Sequence, residues 1–366
     1  MLPTNIDSRQ PVKKFAKDAR VSKPTQKQTI YDIAQQVGAS PSTVSAALNG
    51  TWKARRIKEE TAQRIIALAR QMGYSVNLQA RGLRTARSGL VGLLLPEHNN
   101  RFFSDLSQSF TLEARSRGQC PVIIATQRNP AEEMQTVQDL LAYSIDALFV
   151  AGAAAPGQIS DFCRAAGLPH VFIDQPCPGA SSVTTDNEDG GRRLTAAIIG
   201  TMHPTGTPAR DKVYLIGGDA RLHVTSRRIA GFRTEIAAHF GHCDEDQILA
   251  CGYALEPALA SIRALHSELG GLPAGIFANS INVFEAILRF LVELPEADLQ
   301  AVSMGCFDYE PYGELLRVPV HMVRQRHRQL IARAYELLES QPAEPELITV
   351  KPELYPARPR ILPATA

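Results

Sequence analysis

Two acidic side chains close strand-length apolar runs: Asp174 ends HVFID (170–174) and Asp308 ends VSMGCFD (302–308). Paired carboxylates in a cleft can act as general acid and base, or can accept hydrogen bonds from the hydroxyls of a polyhydroxyl ligand. Catalysis would need a nucleophile or a metal beside them. The sequence supplies neither: GGDAR (217–221) is no G-x-G-x-x-G, and there is no phosphate-binding G-x-x-x-x-G-K-[ST] and no G-x-S-x-G elbow. The six cysteines (Cys120, Cys163, Cys177, Cys243, Cys251, Cys306) are scattered without C-x-x-C spacing, and His242-Cys243 alone is too few ligands for a metal. Reduced, mostly buried thiols, no metal, no cofactor and no enzymatic activity are expected. Recognition is the better reading of Asp174 and Asp308. Asn279, at the end of AGIFAN (274–279), joins them as a polar group at a strand end.

A second set of residues suits nucleic acid. Residues 1–88 hold 16 Lys and Arg against 5 Asp and Glu, a formal +11, while the remainder holds 23 against 32, a formal −9. One end is a polycation, which points to a phosphate-bearing partner. Within it lies TIYDIAQQVGASPSTVSAALNG (29–50). Ile30, Ile33, Ala34 and Val37 recur at helical spacing, Gly38 stops that helix, and Ser40-Pro41 opens another with Val44, Ala47 and Leu48 as its apolar stripe. That is helix-turn-helix geometry, whose second helix lies in the major groove. Pro41, Ser42, Thr43, Ser45, Ala46 and Asn49 are then expected to face bases or backbone, with Thr29, Tyr31 and Ser40 on phosphates. A third helix carries Ala62, Ile65, Ile66, Ala69 and Met72, and Lys53, Arg55 and Arg56 in the preceding loop can meet phosphates.

These groups need a scaffold. Beyond Leu90, strand-length apolar runs alternate with amphipathic stretches: LVGLLLP (90–96), PVIIAT (121–126), DALFVAG (146–152) and HVFID, then VYLIGG (213–218), QILACGY (247–253), AGIFAN and VSMGCFD. Such alternation predicts parallel sheets covered by helices, here in two tandem α/β lobes, with ligands at the carboxyl ends of the strands. The predicted domains are a flexible basic arm (1–27), an all-α helix-turn-helix headpiece (28–75), a short helix (76–88), a two-lobed ligand-binding and dimerisation domain (89–340) and a Pro-rich tail (341–366) that wraps the surface or stays loose. No run of about 18 apolar residues exists, and the first thirty residues lack the apolar stretch of a secretory signal. A cytoplasmic, nucleoid-associated protein without a membrane partner is expected.

The pattern T-I-Y-D-I-A…G-A-S-P-S-T-V-S…L-N resembles the lactose-repressor family, and the basic loop KARRIKEET (53–61) is similar to its fructose- and sucrose-repressor branch. The resemblance runs from about Thr29 to Leu338. It implies a homodimeric transcriptional regulator with a periplasmic-binding-protein-like core. Such a regulator represses carbohydrate-utilisation genes from a palindromic operator and answers to a small sugar or sugar-phosphate effector. It makes residues 76–88 a hinge helix, with Asn77, Ala80, Leu83 and Arg84 at the DNA and Leu83 as a minor-groove wedge. It makes Asp174 the acidic sugar contact and Arg228, in SRRIAGFRTEI, the ligand arginine; Asp308 stands where relatives have G-Y/F-D-D/N. Asn100, Phe102 and Phe103 of HNNRFF (98–103) become a polar and stacking wall, and Arg221, beside His223, tilts the ligand toward a phosphorylated, fructose-type sugar. At Ala46 many relatives carry a long base-reading side chain; alanine can only contact a thymine methyl. The rivals are a dual activator/repressor of central carbon metabolism, a solute-binding protein, and an enzyme using the cleft.

Overall fold

The computed structural model describes residues 28–74, 87–299, 302–316 and 318–358, and it divides into two compact units, one ending and the other beginning near residue 81. In the first, α1 (Ile30–Val37) starts at a capping box: Thr29 and Asp32 bond each other's backbone. It stops at Gly38, whose φ of 69° is the left-handed cap a side chain resists. Helix α2 (Pro41–Leu48) is capped by the Ser40 hydroxyl with proline at its first position, and α3 (Glu59–Gln71) closes the unit. Ile33, Ala34, Val44, Ala47, Ala62, Ile65 and Ala69 form one small core, with Trp52 packed on its edge.

Among its described residues the second unit contains two six-stranded sheets. The first has the order β11-β5-β4-β3-β1-β2, from β1 (Leu90–Leu95), β2 (Cys120–Ala125), β3 (Ala147–Ala151), β4 (His170–Ile173), β5 (Ser182–Thr185) and β11 (Leu347–Val350), all parallel. The second has the order β12-β10-β9-β8-β6-β7, from β6 (Val213–Ile216), β7 (Ile248–Leu249), β8 (Gly275–Ala278), β9 (Ser303–Cys306), β10 (Val320–Arg324) and β12 (Glu353–Tyr355). Only β12 runs antiparallel. Helices α4 (Arg101–Ser116), α5 (Pro130–Ala142), α6 (Pro156–Ala165) and α11 (His327–Ser340) accompany the first sheet. The second has α7 (Asn187–Ile199), α8 (His223–Phe240), α9 (Leu255–Leu269) and α10 (Ile281–Leu291). Each sheet is buried on both faces, as parallel strands between helices require.

Among the described residues the chain crosses between lobes three times: from β5 into α7, from β10 into α11, and from β11 into β12. The third crossing shows which of the two expected tails is formed in its described part: residues 347–355 lie along the sheet edges rather than loose. Leu347, Ile348 and Val350 form a β-capable run that adds an edge strand to the first sheet, and Glu353–Tyr355 does the same for the second. Flanking prolines are tolerated at such edges, so Pro-rich composition concealed two strands.

Helices α7 and α8 meet backbone to backbone. A Cβ on Gly191 would lie 2.6 Å from the Arg228 carbonyl oxygen, and one on Gly231 would lie 2.1 Å from that of Glu188. Only glycine permits this approach, and it brings Arg228 against the first turn of α7.

Candidate functional site

The headpiece exposes Tyr31, at 70%, together with Pro41 and Ser42, while Thr43, Ser45 and Asn49 are half-buried. Thr29 and Ser40 hold their own helix starts; Ser40 Oγ also lies 2.8 Å from Ser42 Oγ and 2.9 Å from Thr43 Oγ1, a hydroxyl cluster at the N-terminus of α2. That end carries the helix's partial positive charge and suits a phosphate. Ala46 corrects the expectation that it faces outward. It is 3% exposed, because the loop after α2 folds back and Thr51 donates from its backbone to Ala46 O at 3.0 Å. Lys53, Arg55 and Arg56 are exposed, with Lys53 Nζ 5.2 Å above the Trp52 ring. The expected arm 1–27 and the hinge residues Asn77, Ala80, Leu83 and Arg84 lie outside the described residues. After them, Ser88 and Gly89 donate backbone hydrogen bonds to the Asp146 carboxylate at 2.8 and 2.9 Å.

Between the lobes lies a cavity of about 270 Å³, lined from the carboxyl ends of both sheets. Asn100, Phe102, Phe103, Asp174, Arg228 and Asp308 all reach it, as the strand-end positions predicted. Phe102 and Phe103 meet edge to face at 5.1 Å, so they are core and wall at once. Asn100 caps α4 through Oδ1 and reaches across to Asn282 with Nδ2 at 3.5 Å.

Arg228, 4% exposed, is the fixed point. Its guanidinium lies 3.8 Å above the Phe307 ring; Nε donates to Asn187 Oδ1 at 2.8 Å and Nη1 to the Asn279 backbone oxygen at 2.7 Å. Three of its five N–H groups are left for a ligand. Asp308 accepts from Gln325 Nε2 at 2.9 Å and from the Ile281 backbone at 3.1 Å. Burial raises its pKa, and Arg228 opposes that. Asp174 stands at φ +66°, a left-handed position costing about 1 kcal/mol in a non-glycine residue, and no described hydrogen-bond partner meets its buried Oδ1. Burial pushes its carboxyl up to about 7, with Arg228 pulling down and Asp308 pushing up. A strained, unpartnered carboxyl beside an arginine with spare donors can accept from hydroxyl groups.

Two expected contacts are corrected. Arg221 does not line the cavity: its side chain is 89% exposed and paired with Asp219 at 2.7 Å, two residues away. Asn279, fully buried, is not a cavity wall either. Its side chain donates to Gly217 O at 3.2 Å and its main chain holds Arg228. Sequence reasoning missed Arg128, Gln175, Tyr253 and Gln325 on the cavity wall and Asn187 behind it. Gln325 ends HMVRQ (321–325), a run with a readable strand pattern; nothing in the sequence marks Gln175.

The description "Bacterial regulatory proteins, lacI family" matches residues 29–77, and "Periplasmic binding proteins and sugar binding domain of LacI family" matches residues 88–271. The chain belongs to the lacI family. Its helix-turn-helix unit and two-lobed core are the two parts of that family, which consists of regulatory proteins. The chain is 40% identical over 171 residues to the ribitol operon repressor of Klebsiella aerogenes, covering 47% of this chain and 63% of that protein. It is 29% identical over 326 residues to the sucrose operon repressor of Klebsiella pneumoniae, covering 88% and 95%. Among solved structures, the Cra transcriptional dual regulator from Pseudomonas putida in complex with fructose 1-phosphate is similar with a TM-score of 0.65 and 26% identity, over 75% of this chain and 99% of that one. Among the described residues, no helix is long and apolar enough to cross a membrane, and no group of three His, Cys, Asp or Glu could hold a metal.

Proposed function

We propose that this protein is a sequence-specific DNA-binding repressor of carbohydrate-utilisation genes, acting in the cytoplasm as a homodimer on a palindromic operator. A small polyhydroxyl effector in the interlobe cavity changes its operator affinity. The observation that carries this reading is the convergence of Asp174, Arg228 and Asp308 on one cavity with unused hydrogen-bonding capacity. The operator is read by α2, with Lys53, Arg55 and Arg56 on phosphates and the segment 76–88, Leu83 above all, wedging the minor groove. A dimer spans two half-sites at once, so the operator shares its twofold symmetry.

The ribitol, sucrose and fructose 1-phosphate of the similar proteins define the first ligands to try. With Arg221 outside the cavity, the leaning toward a phosphorylated sugar rests on His223, Arg128 and the similarity to the fructose 1-phosphate complex. The similarity to a dual regulator also keeps open activation at some promoters, set by operator position. Asp174 and Asp308 act as hydrogen-bond acceptors rather than as an acid/base pair, so a bound sugar is returned unchanged. The test selects duplexes from a random library on the full chain, then titrates ribitol, sucrose, fructose and fructose 1-phosphate calorimetrically. Enrichment of one palindrome and binding of one sugar are expected. No enriched sequence, or conversion of the sugar on long incubation, would overturn the reading.

A further inference from the structure

The two charged groups that face the effector are each tied, through one buried amide, to the same residue of the interlobe crossing. Arg228 Nε donates to Asn187 Oδ1, and Asn187 Nδ2 in turn donates to the Thr185 carbonyl oxygen at 2.9 Å and to Thr184 Oγ1 at 3.3 Å. Asp308 Oδ1 accepts from Gln325 Nε2, and Gln325 Oε1 accepts from Thr185 Oγ1 at 2.6 Å. Thr185, Asn187 and Gln325 are all 3% exposed or less. Thr185 ends β5, the last residue of the first lobe before the chain crosses, and Gln325 sits on the second crossing. The third crossing is fastened to the first by the Asp186 backbone, which donates to Val350 O at 2.8 Å. It is fastened to the second by Arg326 and Glu353 at 2.8 Å.

We infer that the Thr185 hydroxyl, with Gln325 and Asn187, forms the positioning relay that converts effector contact at Asp308 and Arg228 into a change of lobe orientation. This rests on the effector-controlled DNA-binding function proposed above. A ligand can shift a two-state equilibrium only through contacts that differ between the states. An effector that donates to Asp308 and accepts from the spare N–H groups of Arg228 loads the same groups that bond Gln325 and Asn187, and so shifts the balance of both of those bonds. Both changes arrive at Thr185, where the first lobe ends. A buried side-chain bond of this kind has two discrete arrangements, made or broken, which is what a switch between lobe orientations needs.

Thr185→Val removes the donor while keeping the shape and strand preference of the side chain, and Thr185→Ser restores the donor. Operator affinity is measured with the full chain, with and without saturating ribitol, sucrose, fructose or fructose 1-phosphate, alongside the sugar Kd and the thermal midpoint. Wild type and Thr185→Ser should show an effector-dependent shift in operator affinity of about fivefold or more. In Thr185→Val the shift should fall below about twofold while the sugar Kd stays within about threefold. Full coupling in Thr185→Val, with only a lowered thermal midpoint, would assign the relay a purely structural role and overturn the inference. If no sugar of the four binds, the proposed function fails on its own account. Hydrogen exchange over 184–187 and 325–328 then decides: faster exchange in Thr185→Val than in Thr185→Ser supports the tie between crossings, and equal exchange overturns it.

Discussion

Effector affinity should rise with pH across the neutral range, and Asp174 should be the reason. Its carboxyl lies buried at the cavity wall, held at about 7 chiefly by burial; Arg228 and Arg128 pull down, and Asp308 pushes up. Sugar hydroxyls donate to a carboxylate, so a bound effector favours the ionised form and lowers this pKa. Below pH 7 the effector must therefore displace a proton, and affinity rises about tenfold per pH unit, levelling above pH 7. Between pH 5.5 and 8 the gain is about thirtyfold, equivalent to about 2 kcal/mol. His223 also lines the cavity, and burial and then Arg227 hold its pKa below the usual imidazole range. In the unliganded protein the sign is opposite. A carboxyl whose folded pKa is raised contributes stability that is lost as pH rises through the folded value, here about 2 kcal/mol between pH 5.5 and 8. Calorimetry in two buffers of different ionisation heat reads the proton directly, with about one released per effector at pH 6. Asp174→Asn should abolish both the slope and the release. Affinity that is flat or falls with rising pH, or a slope surviving in Asp174→Asn, would refute the reasoning.

Other expectations follow from single contacts. Arg221→Ala, removing a group paired with Asp219 away from the cavity, should leave the effector Kd within about twofold, because exposed ion pairs contribute little. Arg228→Lys, which loses the fork reaching Asn187 and Asn279, should weaken effector binding at least about a hundredfold by calorimetry. Gly231→Ala places a Cβ 2.1 Å from Glu188 O and should cost about 1–3 kcal/mol in denaturant unfolding, weakening effector binding as α8 moves from α7. Arg55→Gln should weaken binding to all DNA sequences alike and reduce the salt-dependence slope by about one, measured by anisotropy on selected and scrambled duplexes.

Much of this architecture is written at short range. Thr29, Asp32, Gly38, Ser40 and Pro41 each perform a local capping task, so the boundaries of α1 and α2 follow from residue types alone. The polar ends of HVFID and VSMGCFD likewise reach the cavity because parallel strands present their carboxyl ends to one crevice. What was not legible depends on distant partners. Arg221 reads in sequence as added positive charge beside Arg228; the close approach of α7 and α8 at Gly191 and Gly231 buries Arg228, while Asp219 occupies Arg221. Ala46 lies on the expected outer face of α2 until the following loop covers it. Strands β11 and β12 are short edge strands between prolines, and only the pairing with β5 and β10 makes them strands. Gln325 closes a readable strand run, but its role comes from Thr185 and Asp308, 140 and 17 residues away.

The central claim is that occupancy of the interlobe cavity sets the grip on DNA. The most direct measurement is the operator Kd by fluorescence anisotropy, at fixed salt, across a titration of the sugar that binds the wild-type cavity. The account predicts a saturable change in operator Kd of about 5- to 150-fold, with a midpoint following the calorimetric sugar Kd. Arg228→Lys should need far more sugar to reach it. An operator Kd that does not change while the cavity fills would contradict the account.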